Sequence, residues 1–143
     1  MMISTKGRYA LRVLIDMAER QSEGYIPLKA IAERQEISEK YLESIVKMLV
    51  KGGVLTGLRG KGGGSRLNGA PEQYTVGDIL RLTEGSLAPV ACLEPGCSPC
   101  PRMAGCRTLA MWQGLDEVIS GYLDQFTLAD LLQVERPGDD YVI

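Results

Sequence analysis

Apolar residues recur at helical spacing through the first fifty positions, with charges between them. In "GRYALRVLIDMAERQ", Tyr9, Ala10, Val13, Leu14 and Met17 share one helical face, which predicts a first helix over roughly 6–21. "SEGYIP" interrupts it with Gly24 and Pro27. "LKAIAERQ" then places Leu28, Ile31 and Ala32 together, a short second helix. Ser38 suits an N-cap, and "SEKYLESIVKMLVKGG" predicts a third helix over 38–51 that stops at Gly52 and Gly53. Its apolar stripe reads as Tyr41, Leu42, Ile45, Leu49 and Val50, leaving Glu39, Lys40, Glu43, Ser44 and Lys47 outward. Two helices joined by a tight turn, the second longer and polar outside, form the helix-turn-helix pattern.

The next segment strengthens that pattern. "VLTGLRGKGGGSRLNG" reads as strand, glycine loop, strand: Val54 and Leu55 are apolar, Gly60 to Gly64 turn the chain, and Leu67 returns it. A hairpin after a recognition-type helix, flanked by Arg59, Lys61 and Arg66, predicts a wing; a plain flexible loop is the competing reading. Phosphate loops do not fit. Counting from Gly60, a dinucleotide fingerprint needs glycine where Ser65 stands, and a P-loop needs Ser or Thr after Lys61, where Gly62 stands.

Beyond the wing, Pro71 predicts a linker, and Val76, Ile79, Leu80 and Leu82 predict a helix over 76–83. Pro95, Gly96, Pro99, Pro101 and Gly105 deny regular structure to the next segment. Periodicity returns from Arg107 to Phe126 through Leu109, Trp112, Leu115, Ile119, Tyr122 and Leu123, a twenty-residue helix about 30 Å long. So long an apolar stripe predicts burial against a second copy of the chain; packing on its own winged helix is the alternative. "TLADLLQ" predicts a last short helix capped by Thr127, and "VERPGDDYVI" a frayed tail. The expected fold is mainly α with a small β wing: a winged helix-turn-helix with its following helix over 1–83, a cysteine-rich loop over 84–106, a long dimerisation helix and short C-terminal helix over 107–133, and a tail over 134–143.

Charge sharpens the functional side. The net charge is only −2, but it is unevenly placed. Residues 1–70 hold twelve Lys and Arg against seven acids, a net +5; residues 71–143 hold four against eleven, a net −7. A basic half in an acidic chain is expected where that half meets a polyanion. No stretch of about 18 uncharged apolar residues is present, and the opening residues carry Lys6, Arg8 and Arg12 rather than a secretory apolar core, so the expectation is a cytoplasmic chain with no membrane partner. No histidine is present, which excludes Ser-His-Asp and Cys-His catalysis, and no enzymatic activity is expected.

All four cysteines fall within fifteen positions, as Cys92-x4-Cys97-x2-Cys100-x5-Cys106. In a reducing cytosol, clustered thiols point to a metal or to redox chemistry more than to structural disulfides. Zinc usually takes two C-x2-C pairs, and only Cys97–Cys100 has that spacing. Iron–sulfur clusters are also held by thiolates and suit looser spacing. Three readings stand: an iron–sulfur cluster, a structural zinc, and a thiol-redox or metal-free loop. A thioredoxin-like dithiol needs a strand before the motif and a helix starting at it, which Pro101 and Gly105 oppose.

Taken together, "STKGRYALRVLIDMA", "ISEKYLESIVKMLVKGGVL", "RGKGGG", the cysteine loop and "TLADLL" resemble the IscR/NsrR (Rrf-two) family of bacterial winged-helix transcription regulators, over about residues 3–133. The resemblance implies a homodimer on double-stranded operator DNA. It implies an iron–sulfur cluster, 2Fe-2S or 4Fe-4S, that modulates DNA binding in response to redox state, nitric oxide or iron–sulfur status. Cys92, Cys100 and Cys106 match the three family ligands. The family's fourth ligand is a histidine after the third cysteine or an acid on the partner's first helix. This chain has no histidine, and Arg8 stands at the matching N-terminal position. Cys97 is therefore the expected fourth ligand or stand-in, with Glu94, Asp16 or an external thiol as weaker candidates. Some members of the family lack the cysteines altogether.

On this reading the third helix enters the major groove, with Ser38, Lys40, Tyr41, Glu43, Ser44 and Lys47 as candidate contacts. Glu43 is suited to accept from a cytosine amino group and matches a discriminating glutamate of the family. Arg59 and Lys61 are expected in the minor groove or on phosphate, and Lys6 and Arg8 on the DNA backbone.

Overall fold

The computed structural model describes residues 3–134, so the expected tail beyond Val134 lies outside the described residues. Helix α1 runs Thr5–Glu19, α2 Leu28–Gln35 and α3 Glu39–Lys51. Strands β1, Leu55–Leu58, and β2, Gly64–Leu67, follow; then come α4, Val76–Glu84, α5, Leu109–Asp124, and α6, Leu128–Leu132.

Local chemistry sets the helix ends. The Ser4 side chain accepts from the Gly7 N–H, Ser38 from Tyr41, and Thr127 from Asp130. Each satisfies an amide that the first turn leaves without a partner. Between α2 and α3, Glu36 takes a left-handed conformation, φ 55°, and buried Ile37 plugs the turn. Helix α3 buries Leu42, Ile45, Val46 and Leu49. Val50, expected in the core, is instead 39% exposed. It lies on the edge of the apolar arc, one residue past the i, i+3, i+4, i+7 set that the core accepts.

The two strands pair antiparallel, Leu55 opposite Leu67 and Leu58 opposite Gly64. Gly60 and Gly62 take positive φ in the turn, which side chains resist. Ile26 and Ser65 exchange backbone hydrogen bonds of 2.9 Å, so the segment before α2 pins the wing to the body. The wing is thus anchored at its base and free of packing at its tip, where Arg59, Gly60 and Lys61 are exposed.

The core joins Leu14 and Met17 of α1, Ile31 of α2, Leu42, Ile45 and Leu49 of α3, Leu55, Ile79 of α4 and Leu128 of α6. Residues 71–73, expected in a linker, form a 3-10 turn in contact with α6. A smaller cluster, Val76, Leu80 and Leu87, receives Ile119, Leu123 and Phe126. The last helix therefore returns to the winged helix, and α5 leans chiefly on α4.

Helix α5 spans sixteen residues, shorter than the expected 107–126. It starts after Thr108 and ends where the Phe126 carbonyl accepts from Val76 N–H and Leu128 N–H donates to the Tyr74 carbonyl. None of its residues is buried. Met111, Leu115, Val118 and Tyr122 are 56%, 39%, 66% and 59% exposed, a continuous outward row. Among the described residues no helix is long and apolar enough to cross a membrane.

Candidate nucleic-acid interface and cysteine loop

The outward face of α3 holds what its periodicity placed there: Glu39, Lys40, Glu43, Ser44 and Lys47 are exposed, as is the capping Ser38. Their hydroxyls have local work. Ser38 caps the helix, and Ser44 Oγ donates to the Tyr41 carbonyl at 2.7 Å. Tyr41 is half-buried, its ring edge-on to Tyr9 at 5.9 Å, and Arg12 lies over the Tyr9 ring at 4.9 Å. This contact sets the start of α1 beside α3. Glu39, Lys40, Glu43, Lys47 and Lys51 are the long charged groups left to project from the helix.

Between α3 and the wing lies a cleft of about 830 Å³. Glu43, Lys47 and Arg59, singled out in the sequence, line it together with Lys29 of α2 and Lys51 of α3. The latter two were not among the sequence candidates. Lys51 was signalled by its i, i+4 spacing from Lys47; for Lys29 only the folded packing of α2 reveals the shared cleft. Arg66 instead stacks over Tyr25, 5.1 Å from its centroid. On the first turn of α1, Arg8 is exposed and donates to Thr5 Oγ1 at 3.2 Å, and Lys6 is half-buried.

Asp16 has a different task. It is 3% exposed, and its carboxylate accepts from Arg34 Nε at 2.9 Å, Arg34 Nη2 at 2.6 Å and Gln35 Nε2 at 2.9 Å. Burial alone raises its pKa. The hydrogen bonds from Arg34 and Gln35 and the charges of Arg34 and Arg20 outweigh that and hold it below the ordinary value. Its oxygens are committed to the α1–α2 joint, which removes it from the candidate cluster ligands.

The cysteine segment runs from Gly85 to Thr108 through short 3-10 turns at Ala91–Leu93 and Met103–Gly105. Cys92 and Cys100 are half-buried; Cys97 and Cys106 are exposed. The Cys97 thiol donates to the Cys92 carbonyl at 3.1 Å. Cys106 Sγ lies 3.5 Å from Thr108 Oγ1, and hydrogen bonds from the Thr108 hydroxyl and then from the Thr108 and Leu109 backbone lower its pKa. Among the described residues no three His, Cys, Asp or Glu side chains are gathered to hold a metal. The donor set, four soft thiols without imidazole, fits an iron–sulfur group or zinc. The loop as folded does not converge them, so holding either requires the loop to close.

The entrance of the segment and the far end of α5 are tied to the winged helix. Ser4 donates from its hydroxyl and its amide to Glu84 Oε1, at 2.5 and 3.2 Å. At the C-terminal end of α5, Arg81 of α4 grips Asp124 with two bonds of 2.9 Å.

Comparison with known proteins agrees with this architecture. A family model described as Rrf2, iron-dependent transcriptional regulator, matches residues 3–134. The protein rrf2 of Nitratidesulfovibrio vulgaris Hildenborough is 41% identical over 133 residues, 93% of this chain and 88% of its own length. The structure of CymR, the global cysteine regulator of B. subtilis, superposes with a TM-score of 0.76 at 37% identity, covering 95% of this chain and 99% of that one. IscR of T. potens superposes with a TM-score of 0.70 at 33% identity, covering 96% and 94%. The chain therefore belongs to the Rrf2 family of winged-helix transcription regulators, which bind DNA as dimers.

Proposed function

We propose that this regulator tunes its operator affinity through an iron–sulfur cluster held in the 92–106 loop, in the cytoplasm. Cys92, Cys100 and Cys106 would hold the group, and Cys97 would complete it. When bound, such a cluster supplies a centre that changes with redox state, nitric oxide or iron supply. The observation that carries the reading is the loop's place between two anchored elements. Glu84 at its entrance is bonded to the N-cap of α1, and α5 at its exit is the helix with the outward apolar row. Closing the loop would therefore act on the spacing between winged helices in the dimer.

On the DNA side, Lys40, Glu43 and Lys47 would face the major groove, with Ser38, Tyr41 and Ser44 fixing the helix that carries them. Arg59 and Lys61 would meet the minor groove or phosphate, and Lys6 and Arg8 the backbone. Glu43 would accept from a cytosine amino group, so Glu43→Ala should relax preference at one base pair by about 1–3 kcal/mol.

The second reading is a thiol switch without metal. It is favoured by the unconverged thiols, by the lowered pKa of exposed Cys106, and by similarity to CymR of Staphylococcus aureus, whose structure is described in an oxidized form. One experiment separates them. Anaerobic reconstitution, with iron and sulfide counts and a visible spectrum, is followed by DNA-shift assays of loaded and unloaded protein. Stoichiometric iron, a spectrum weakened by each of Cys92→Ala, Cys100→Ala and Cys106→Ala, and a changed operator affinity support the cluster. No iron, with an affinity that responds to a thiol oxidant, supports the second reading. Stoichiometric zinc with no change in affinity leaves the metal structural.

A further inference from the structure

The four cysteines are not equivalent in the folded loop. The chain doubles back between Val90 and Cys97. The Leu93 amide donates to the Val90 carbonyl and the Glu94 amide to the Ala91 carbonyl, each at 3.1 Å, and the Cys97 amide donates to the Glu94 carbonyl at 3.2 Å. In the last of these turns Pro95 stands first and Gly96 second, with Gly96 at φ 75°, which matches a type II turn. That turn lays the Cys97 sulfur on the Cys92 carbonyl at 3.1 Å. Cys106 Sγ instead lies beside Thr108 Oγ1. Cys100 is set off from Cys97 by Ser98 and Pro99. The residue before a proline favours extended backbone, and residues 97–100 hold no helix or turn. An extended stretch of that length spans about 10 Å between its end Cα atoms, whereas a disulfide needs about 4.4–6.8 Å. The C-x2-C spacing is therefore the less favourable pair in this fold.

We propose that Cys92 and Cys97 close a reversible disulfide when the metal-free loop meets a hydroperoxide. Cys97 is exposed and Cys92 half-buried, so Cys97 is the thiol that meets the oxidant and Cys92 the one that resolves it. The Cys97 sulfur attacks one peroxide oxygen. The O–O bond breaks, one water leaves, and Cys97 becomes a sulfenic acid. The Cys92 sulfur then attacks the Cys97 sulfur. An S–S bond forms, the S–O bond breaks, and the hydroxyl leaves with the Cys92 proton as a second water. Two thiols have given up two electrons and two protons, and hydrogen peroxide has been reduced to water. The turn has already brought the ends of the ring together, so closure needs rotation of the Cys92 side chain rather than refolding of the loop. The bridge withdraws two thiols, so it bars metal from the loop until a dithiol reduces it. That consequence rests on the cluster reading proposed above; the bridge itself does not.

The test uses full-length protein, stripped of metal by a chelator, reduced, and treated with hydrogen peroxide at about one equivalent. Thiols counted after denaturation should fall from four per chain to two, with no covalent dimer on a non-reducing gel. Cleavage after Glu94 should leave two peptides joined through Cys92 and Cys97 that separate on reduction. Cys100→Ser and Cys106→Ser should each still lose two thiols. Cys92→Ser should stop at a Cys97 sulfenic acid that dimedone traps. Gly96→Ala isolates the turn, because a Cβ there meets nothing within 4 Å and only the positive φ resists it. The reduced loop can abandon the turn and the bridged loop cannot, so in a glutathione redox buffer the variant should be about five- to thirtyfold less oxidised at equilibrium. Iron uptake should fail in the bridged protein and return after dithiothreitol. Four thiols surviving peroxide overturns the inference, as does a bridge mapped to Cys97–Cys100 or between subunits. Reduced protein that never takes up iron would defeat the cluster reading instead, and the thiol count and peptide map would still decide the bridge.

Discussion

The carboxylate of Asp16 is the one buried charged group among the described residues. It is removed from water between α1 and α2 and is compensated chiefly by Arg34, whose own side chain is 32% exposed. Removing one partner of a fully buried pair costs about 3–5 kcal/mol. Here Gln35 remains at 2.9 Å and Arg20 at 3.6 Å, so Arg34→Met should cost about 2–4 kcal/mol in urea unfolding. The folded-state pKa of Asp16 lies below its unfolded value, so its stabilising effect is complete above the unfolded value, near about 3.9, and is lost as pH falls through the folded one. A protonated Asp16 has little need of a guanidinium. The gap between wild type and Arg34→Met should therefore narrow below about pH 4; a gap constant from neutral to acid pH would mean that Arg34 acts through packing alone. None of this was legible in the sequence, where Asp16 appeared as an acid in an amphipathic helix and a weaker candidate for the fourth cluster ligand. The pairing spans eighteen positions and depends on how α2 crosses α1. Caps at Ser38 and Thr127 were legible because their partners lie three residues away.

At the scale of elements, α5 shows where periodicity informs and where it stops. The sequence marked Leu109, Trp112, Leu115, Ile119, Tyr122, Leu123 and Phe126 as a single stripe. In the fold they divide. Ile119, Leu123 and Phe126 pack toward Val76 and Leu80, while Leu115 and Tyr122 join Met111 and Val118 on the outside. A helix apolar on two sides gives one blurred signal, so the sequence conveyed its length and apolarity but not which residues face which neighbour. The wing was easier, because glycines and basic flanks are local features. Single exposed apolar residues are ordinary, but a row at i, i+4, i+7 and i+11 is not. We propose this row as the place for the dimer contact. Each such side chain contributes about 1.5–3 kcal/mol when fully buried. The double variant Met111→Asn, Val118→Asn should therefore sediment as a monomer at micromolar concentration with its helical circular dichroism retained, since both side chains already face outward in the single chain. A dimer that survives the double change would place the contact elsewhere.

Over the whole molecule, charge and architecture divide at the same place. The winged helix carries the excess of cations that residues 1–70 bring, and the loop and α5 lie in the half with net charge −7. A total of −2 does not prevent polyanion binding, because in about 0.1 M salt charges beyond about 10 Å are largely screened and the duplex meets the basic face first. The dimer then decides how many phosphates are met at once. Each neutralised phosphate adds about −0.9 to the slope of log affinity against log salt. If one winged helix meets about three to five phosphates, a monomer should show a slope of about −2.7 to −4.5 and the dimer about −5.4 to −9. The double variant of α5 leaves every cation in place and alters no formal charge, so its slope isolates the effect of pairing. It should fall to half the wild-type value on the same duplex, and the protected footprint should shrink from two half-sites to one. An unchanged slope would mean that a single winged helix makes all the phosphate contacts. The second subunit would then serve the loop and α5 rather than the DNA, and any signal from the cysteines would have to act within one chain instead of on the spacing between two.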